Sequence, residues 1–198
     1  MSGEYRPWAN PSPAGLVALA IGVILFYSSL QGLIDGSSNV FVGLWLLGGF
    51  LVQGTCAIID LKEGALTGGN VFLFFAGFFM FTGGLIDIVT YYAGVYGWQM
   101  NAMANGYAWI ILSAALILWT PAYLKEAPKV FSSLVVILDV FVVCVTLIKL
   151  QMASPAIISI ASAFAFVAIF VAMYFATAMI TNNAFGKVVL PVGTPWIK

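Results

Sequence analysis

Six long apolar runs, each parted from the next by a short polar turn, restrict this chain more than any other feature. A helix that crosses a bilayer needs roughly 20 mostly apolar residues. Runs of this kind fall at about 14–34, 39–60, 70–94, 106–122, 130–150 and 155–181. Between them stand DGSSN (35–39), DLKEGALTGG (60–69), GVYGWQMNAMANG (94–106), TPAYLKEAPK (120–129) and LQMASP (150–155), all rich in turn-forming residues. The pattern predicts an all-α polytopic membrane protein, a single domain over 1–198 with six transmembrane helices. Charged residues make up only 7% of the chain, against about 25% in soluble domains. The first run is longer than the apolar core of a signal peptide and reads as a permanent span.

The cations test the count of six. One side would hold the N-terminus, the 60–69 and 120–129 loops and the C-terminus, with Arg6, Lys62, Lys125, Lys129, Lys187 and Lys198. The other side would hold Lys149 alone. By the positive-inside rule both termini are expected in the cytoplasm, with the chain integral to the inner or plasma membrane and the lipid bilayer as its surroundings.

Several chemistries drop out. The chain has no histidine, which removes Ser-His-Asp and Cys-His catalysis and most transition-metal sites. Cys56 and Cys144 sit apart in apolar runs, as small hydrophobes do. Net charge is zero, so no basic face invites nucleic acid. No nucleophile–base pair is visible, and neither enzyme activity, metal nor cofactor is expected.

Polar residues inside the runs carry what chemistry there is. Asp139 lies mid-run in SSLVVILDVFVVCVTLIKL, where a charge costs about 2.5–3.5 kcal/mol on insertion scales. It reads either as a proton-binding group for coupled transport or as a protonated acid that ties two helices. Asp87 falls near the end of the third span and reads first as structural. Gln53, Thr55, Asn70, Thr82 and Thr90 either line a route for a small polar solute or act as interhelical glue. Phe72, Phe74, Phe75, Phe78, Phe79 and Phe81 crowd the third span, and one or two can form an apolar constriction. Ala161, Ala165, Ala168, Ala172 and Ala176 make a stripe that allows close helix contact, within or between protomers.

The stretch WANPSPAGLVALA (8–20) places two prolines before the first run. Pro11 and Pro13 bias Asn10 and Ser12 towards extended backbone, and proline is tolerated in a first helical turn. The N–H groups of Ala14, Gly15 and Leu16 then form a partly positive end, which attracts small anions. The same stretch also reads as a plain rigid helix start.

NPSPAGL (10–16) resembles the N-P-x-P-x-G-L signature of the acetate uptake transporter family, also called succinate–acetate permeases. NNAFGKVVLPVG (182–193) resembles that family's tail, N-x-x-F-G-[RK]-x-x-L-P-[IV]-G, through Asn182, Phe185, Gly186, Lys187, Leu190, Pro191 and Gly193. The resemblance implies a homohexamer of six-helix protomers, each with its own pore for acetate and in some members succinate, working as a proton-coupled symporter or an anion channel. It places Asn10, Pro11, Pro13, Gly15 and Leu16 beside the substrate path. The chain departs from the family at four places. Leu19 stands for a phenylalanine of the family's constriction, and Phe75 for its tyrosine. Gly64, Ala65, Leu66 and Thr67 replace a G-N-T-F run. Asp139 occupies a position where an uncharged residue is expected.

The leading hypothesis is a channel or transporter for small monocarboxylates, acetate first. Its expected pathway is Asn10, Pro11, Pro13, Ala14, Gly15, Leu16, Leu19, Gln53, Asn70 and Phe75, with Asp139 as a proton-coupling candidate. Two alternatives are a pore for a neutral solute such as urea or ammonia and a structural membrane protein that moves nothing. Labelled-acetate uptake by proteoliposomes separates them: flux no greater than in empty vesicles would reject the first.

Overall fold

A computed structural model describes residues 8–198. Six long helices are present: α1 Ser12–Leu30, α2 Asn39–Lys62, α3 Leu66–Tyr96, α4 Met103–Glu126, α5 Lys129–Lys149 and α6 Pro155–Phe185. Each is long and apolar enough to cross a membrane. α1 packs on α2 and α6, α2 on α3, α6 on α5 and α5 on α4, while a lighter contact of α3 with α4 closes the ring.

The ends of the chain meet at one end of this ring. The Trp8 amide donates to Glu63 in the α2–α3 turn at 3.2 Å, and the Ile197 amide donates to the Leu124 carbonyl near the end of α4 at 2.9 Å. Lys62, Lys125, Lys129, Lys187 and Lys198 belong to this end and Lys149 to the far end, whereas Arg6 lies outside the described residues. At the far end Asp35 opens a short 3-10 turn, Gly36–Ser38. The Ser37 hydroxyl and amide both donate to its carboxylate and hold it below the ordinary carboxylate range.

Helix bounds differ from expectation where breaker residues are tolerated. α4 runs through Pro121 to Glu126 rather than ending at 122. A proline lacks the N–H but need not end a buried helix when neighbours accommodate the break. The 60–69 loop shrinks to three residues, 63–65, because Gly64 turns the chain at φ +83 and Gly69 is already helical. A Cβ on Gly69 would meet Leu61 Cγ at 2.6 Å, so this glycine lets α3 start tight against α2.

Small residues set the helix spacing. Ala161, Ala165, Ala168, Ala172 and Ala176 are all buried, which places the stripe inside the protomer, on the α6 side that meets α1 and α5. Gly43 and Gly84 bring α2 and α3 together: a Cβ on Gly43 would lie 2.5 Å from the Gly84 carbonyl oxygen.

The tail motif has a structural meaning. Gly186 ends α6 in the left-handed region at φ 62. The Asn182 side-chain oxygen then accepts from the Val189 and Leu190 amides at 2.7 and 2.9 Å, and its amide donates to the Leu190 carbonyl at 2.8 Å. Tyr174 donates to the Pro191 carbonyl, and the Val130 amide to that of Val192. The tail is thereby laid back across the ends of α4, α5 and α6.

Candidate functional site

The centre of α3 is π-helical from Phe75 to Thr82. The Thr82 side-chain hydroxyl donates to the Gly77 carbonyl five residues back, at 3.0 Å. A π turn inside a helix re-aims side chains and is frequent at functional sites. Here Phe72, Phe75 and Phe79 turn inward and are buried, while Phe78 and Phe81 face outward. Phe75 and Phe79 meet edge to face at 5.9 Å, and Phe79 meets Trp109 of α4 at 6.0 Å.

These rings divide the axis of the bundle into three spaces. At the termini end a cavity of about 350 Å³ is walled by Asn10, Ser12, Asp60, Thr67, Tyr123 and Glu126, with Phe72 and Phe131 as its floor. Beyond that floor lies a throat of about 20 Å³. Leu16 and Leu19 of α1, Gln53 of α2, Phe72 and Phe75 of α3, Leu116 of α4 and Leu134 and Leu138 of α5 enclose it. Such a space holds about one water, so anything larger passes only if the side chains part. On the far side of Phe79 a third cavity, of about 170 Å³, is lined by Ser29, Asn39, Asp87, Asn105 and Lys149 among apolar residues.

Gln53 is the one polar side chain of the throat, and it is 1% exposed. Its Nε2 donates to the Gly15 carbonyl at 3.2 Å, and its Oε1 has no hydrogen-bond partner. Because the neighbour at Gly15 is a carbonyl, the nitrogen must point there and the oxygen is the free atom. Gly15 permits this approach: a Cβ would lie 2.6 Å from the Phe72 ring and 3.1 Å from Cys56 Sγ.

The expected cradle of free amides at the start of α1 is not formed. The Ala14 and Gly15 amides donate to the Pro11 carbonyl at 3.0 and 3.5 Å, and the Ser12 amide to Asn10 Oδ1 at 2.8 Å. α1 begins at Ser12, so the Leu16 N–H falls inside its regular hydrogen-bond ladder. Pro11 curls its carbonyl over the first turn and also accepts from Cys56 Sγ at 3.1 Å. The prolines therefore fix the helix entrance, but they leave no bare donors there.

The other expected residues divide. Asn10 lines the first cavity, and Leu16, Leu19, Gln53 and Phe75 line the throat. Ala14 faces a groove on the outside of the bundle beside Trp45. Pro11, Pro13 and Gly15 shape the entrance without lining these cavities. Asn70 donates to the Leu66 carbonyl of its own helix at 2.8 Å and stands off the axis. Asp139 also stands off the three cavities: its Oδ2 accepts from Thr120 of α4 at 2.7 Å, and its buried Oδ1 has no partner. Asp60, Thr67, Tyr123 and Glu126 were not expected. Ser12 donates to Asp60 at 3.3 Å, Tyr123 to the Thr67 carbonyl at 2.9 Å, and Thr67 to Glu126. Tyr123 and Glu126 sit in a segment that reads as a loop because of Pro121, which hid them.

The profile of the GPR1/FUN34/yaaH family matches residues 2–195. The chain belongs to the GPR1/FUN34/yaaH family. This is the membership that its two end motifs indicate. The solved structure of the bacterial acetate channel SatP superposes with a TM-score of 0.79 at 21% identity, covering 94% of this chain and 99% of that one. That likeness fixes the fold as that of an integral membrane protein. A comparison with curated proteins finds no match. In this family member the N-terminal signature forms the turn that sets Gly15 against Gln53 and Phe72, and the tail signature is the Asn182 clamp.

Proposed function

We propose that the chain is a transmembrane channel or transporter for small monocarboxylates, acetate first, with the path along the axis of each six-helix protomer. The observation that carries this reading is the apolar throat between two polar-walled cavities, served by one buried amide with a free acceptor. Apolar side chains exclude bulk water and large solutes, while a single polar group at the narrow point steadies a small polar one. A carboxylic acid's own O–H fits the bare Gln53 oxygen. The likeness to SatP, a bacterial acetate channel of the same fold, supports the choice of acetate. The charge bias supports cytoplasmic termini and residence in the inner or plasma membrane, and family resemblance supports a homohexamer. We read Asp139 as a tie between α4 and α5 rather than a coupling group, since it stands off the axis. Channel conduction is then favoured over obligatory symport. No enzymatic step is part of this reading.

A second reading keeps the path and takes a neutral solute such as urea or ammonia. It is favoured by the first cavity, whose wall bears the carboxylates of Asp60 and Glu126 and no cation among the described residues. Proteoliposomes decide: labelled-acetate uptake above empty vesicles supports the first reading. Urea-driven swelling with no acetate uptake would replace it with the second, and neither flux would leave a structural membrane protein.

A further inference from the structure

The far cavity contains two charges that the throat does not use. Asp87 on α3 and Lys149 at the end of α5 both line its wall, yet among the described residues neither has a hydrogen-bond or ion-pair partner. The Lys149 ammonium stands 5.5 Å from the Phe26 ring centroid, a contact that holds it on the wall. Opposite charges at membrane depth attract strongly and normally pair directly. Here they share the lining of a cavity of about 170 Å³ and attract each other without closing a direct ion pair. Ser29, Asn39 and Asn105 add neutral hydrogen-bonding groups to the same space. A cavity in which two opposite charges feel each other but make no direct contact, edged by amides, is a place for a small charged guest.

We propose that Lys149 and Asp87 form a loading site for solutes with a single negative charge. The proposal rests on the carboxylate reading of the path. Lys149 receives the carboxylate at the far mouth, by a charge-assisted hydrogen bond. Asp87 does two things. Its field offsets that of Lys149, so an arriving anion is held loosely and moves on. It also opposes a second carboxylate, since a dicarboxylate would bring two like charges into a cavity that already holds one. The site therefore takes monocarboxylates and turns dicarboxylates away. Neither residue lines the throat, so both act on capture, release and selectivity at the far mouth rather than at the narrow point.

Equilibrium exchange of labelled acetate in proteoliposomes tests this, because equal concentrations on both sides remove any dependence on protein orientation. The K149Q variant should raise the half-saturating acetate concentration roughly tenfold, as expected for loss of a contact with a charged group. Lys149→Arg should stay near the wild-type value, which a lysine needed only for its place at the helix end would not explain in K149Q. The D87N variant should lower the half-saturating concentration and slow maximal exchange. It should also let succinate compete with acetate, which the wild-type protein does not allow. Size-exclusion profiles matching wild type confirm that each variant is folded. K149Q with wild-type half-saturation, D87N that still excludes succinate, or wild-type protein in which succinate competes would each overturn the assignment while acetate exchange itself stands. Absence of exchange in the wild-type protein would sink the carboxylate reading, and this site with it.

Discussion

Gln53 reaches across the α1–α2 contact to the carbonyl of Gly15 at 3.2 Å, which leaves its own oxygen buried and unpaired in the wall of the throat. A buried acceptor without a partner destabilises a fold by about 1–3 kcal/mol. Gln53→Leu removes both that penalty and the bond to Gly15. Its thermal stability should therefore stay close to wild type while acetate exchange drops at least roughly tenfold, about 1.4 kcal/mol at the narrow point. Exchange assays beside thermal unfolding in detergent check this; a stable Gln53→Leu protein with unchanged exchange would remove Gln53 from the path.

Gly15→Ala should be costly for a reason visible in one contact. The new Cβ would sit 2.6 Å from Phe72 and must push aside the ring that floors the first cavity. Overpacking of this kind costs about 1–3 kcal/mol. Gly94→Ala meets nothing within 4 Å and should be neutral or slightly stabilising. Thermal unfolding of the two variants side by side checks the difference.

Phe75→Ala enlarges the throat at one of its aromatic walls. Phe75 packs on Phe74 at 4.6 Å and on Phe79 at 5.9 Å, so no neighbour readily fills the space. The variant should lose about 3–5 kcal/mol of stability and admit longer monocarboxylates, such as butyrate, relative to acetate. Competition of butyrate against labelled acetate measures the shift.

Asp139→Asn keeps an oxygen for the Thr120 hydroxyl, which donates at 2.7 Å. If Asp139 serves only to tie α4 to α5, the variant should exchange acetate at the wild-type rate, and uptake should respond to an imposed proton gradient as wild type does. Loss of the gradient response in Asp139→Asn would restore it as a coupling group.

Asn182→Ala strips three hydrogen bonds from the returning tail. At about 0.5–1.5 kcal/mol each, their loss should free residues 187–198 to protease long before the helices are cut. Limited proteolysis with mass analysis of the fragments reads this directly.

The fold was legible in the sequence because six apolar runs leave few other solutions, and the Phe72–Phe81 cluster marked the region of the throat. Other features needed the third dimension. Whether an amide at a helix start is free depends on where one carbonyl, that of Pro11, points. The first cavity joins Asp60, Thr67 and Tyr123 from three helices, and no spacing along the chain brings those together. Pro121 read as a stop because the rule for prolines comes from helices in water, and it hid the last turn of α4. The π segment Phe75–Thr82 has the same apolar composition as an α-helix, so nothing in its residues announced it.

A pair of tryptophans on α1 tests the axial path most directly. Leu19 is buried in the throat, while Ile24, five positions on, is exposed on the outside of the bundle. With both variants folded, Leu19→Trp should abolish labelled-acetate exchange in proteoliposomes and Ile24→Trp should leave it at the wild-type rate. Leu19→Trp protein that exchanges acetate as fast as wild type would contradict a route through the throat.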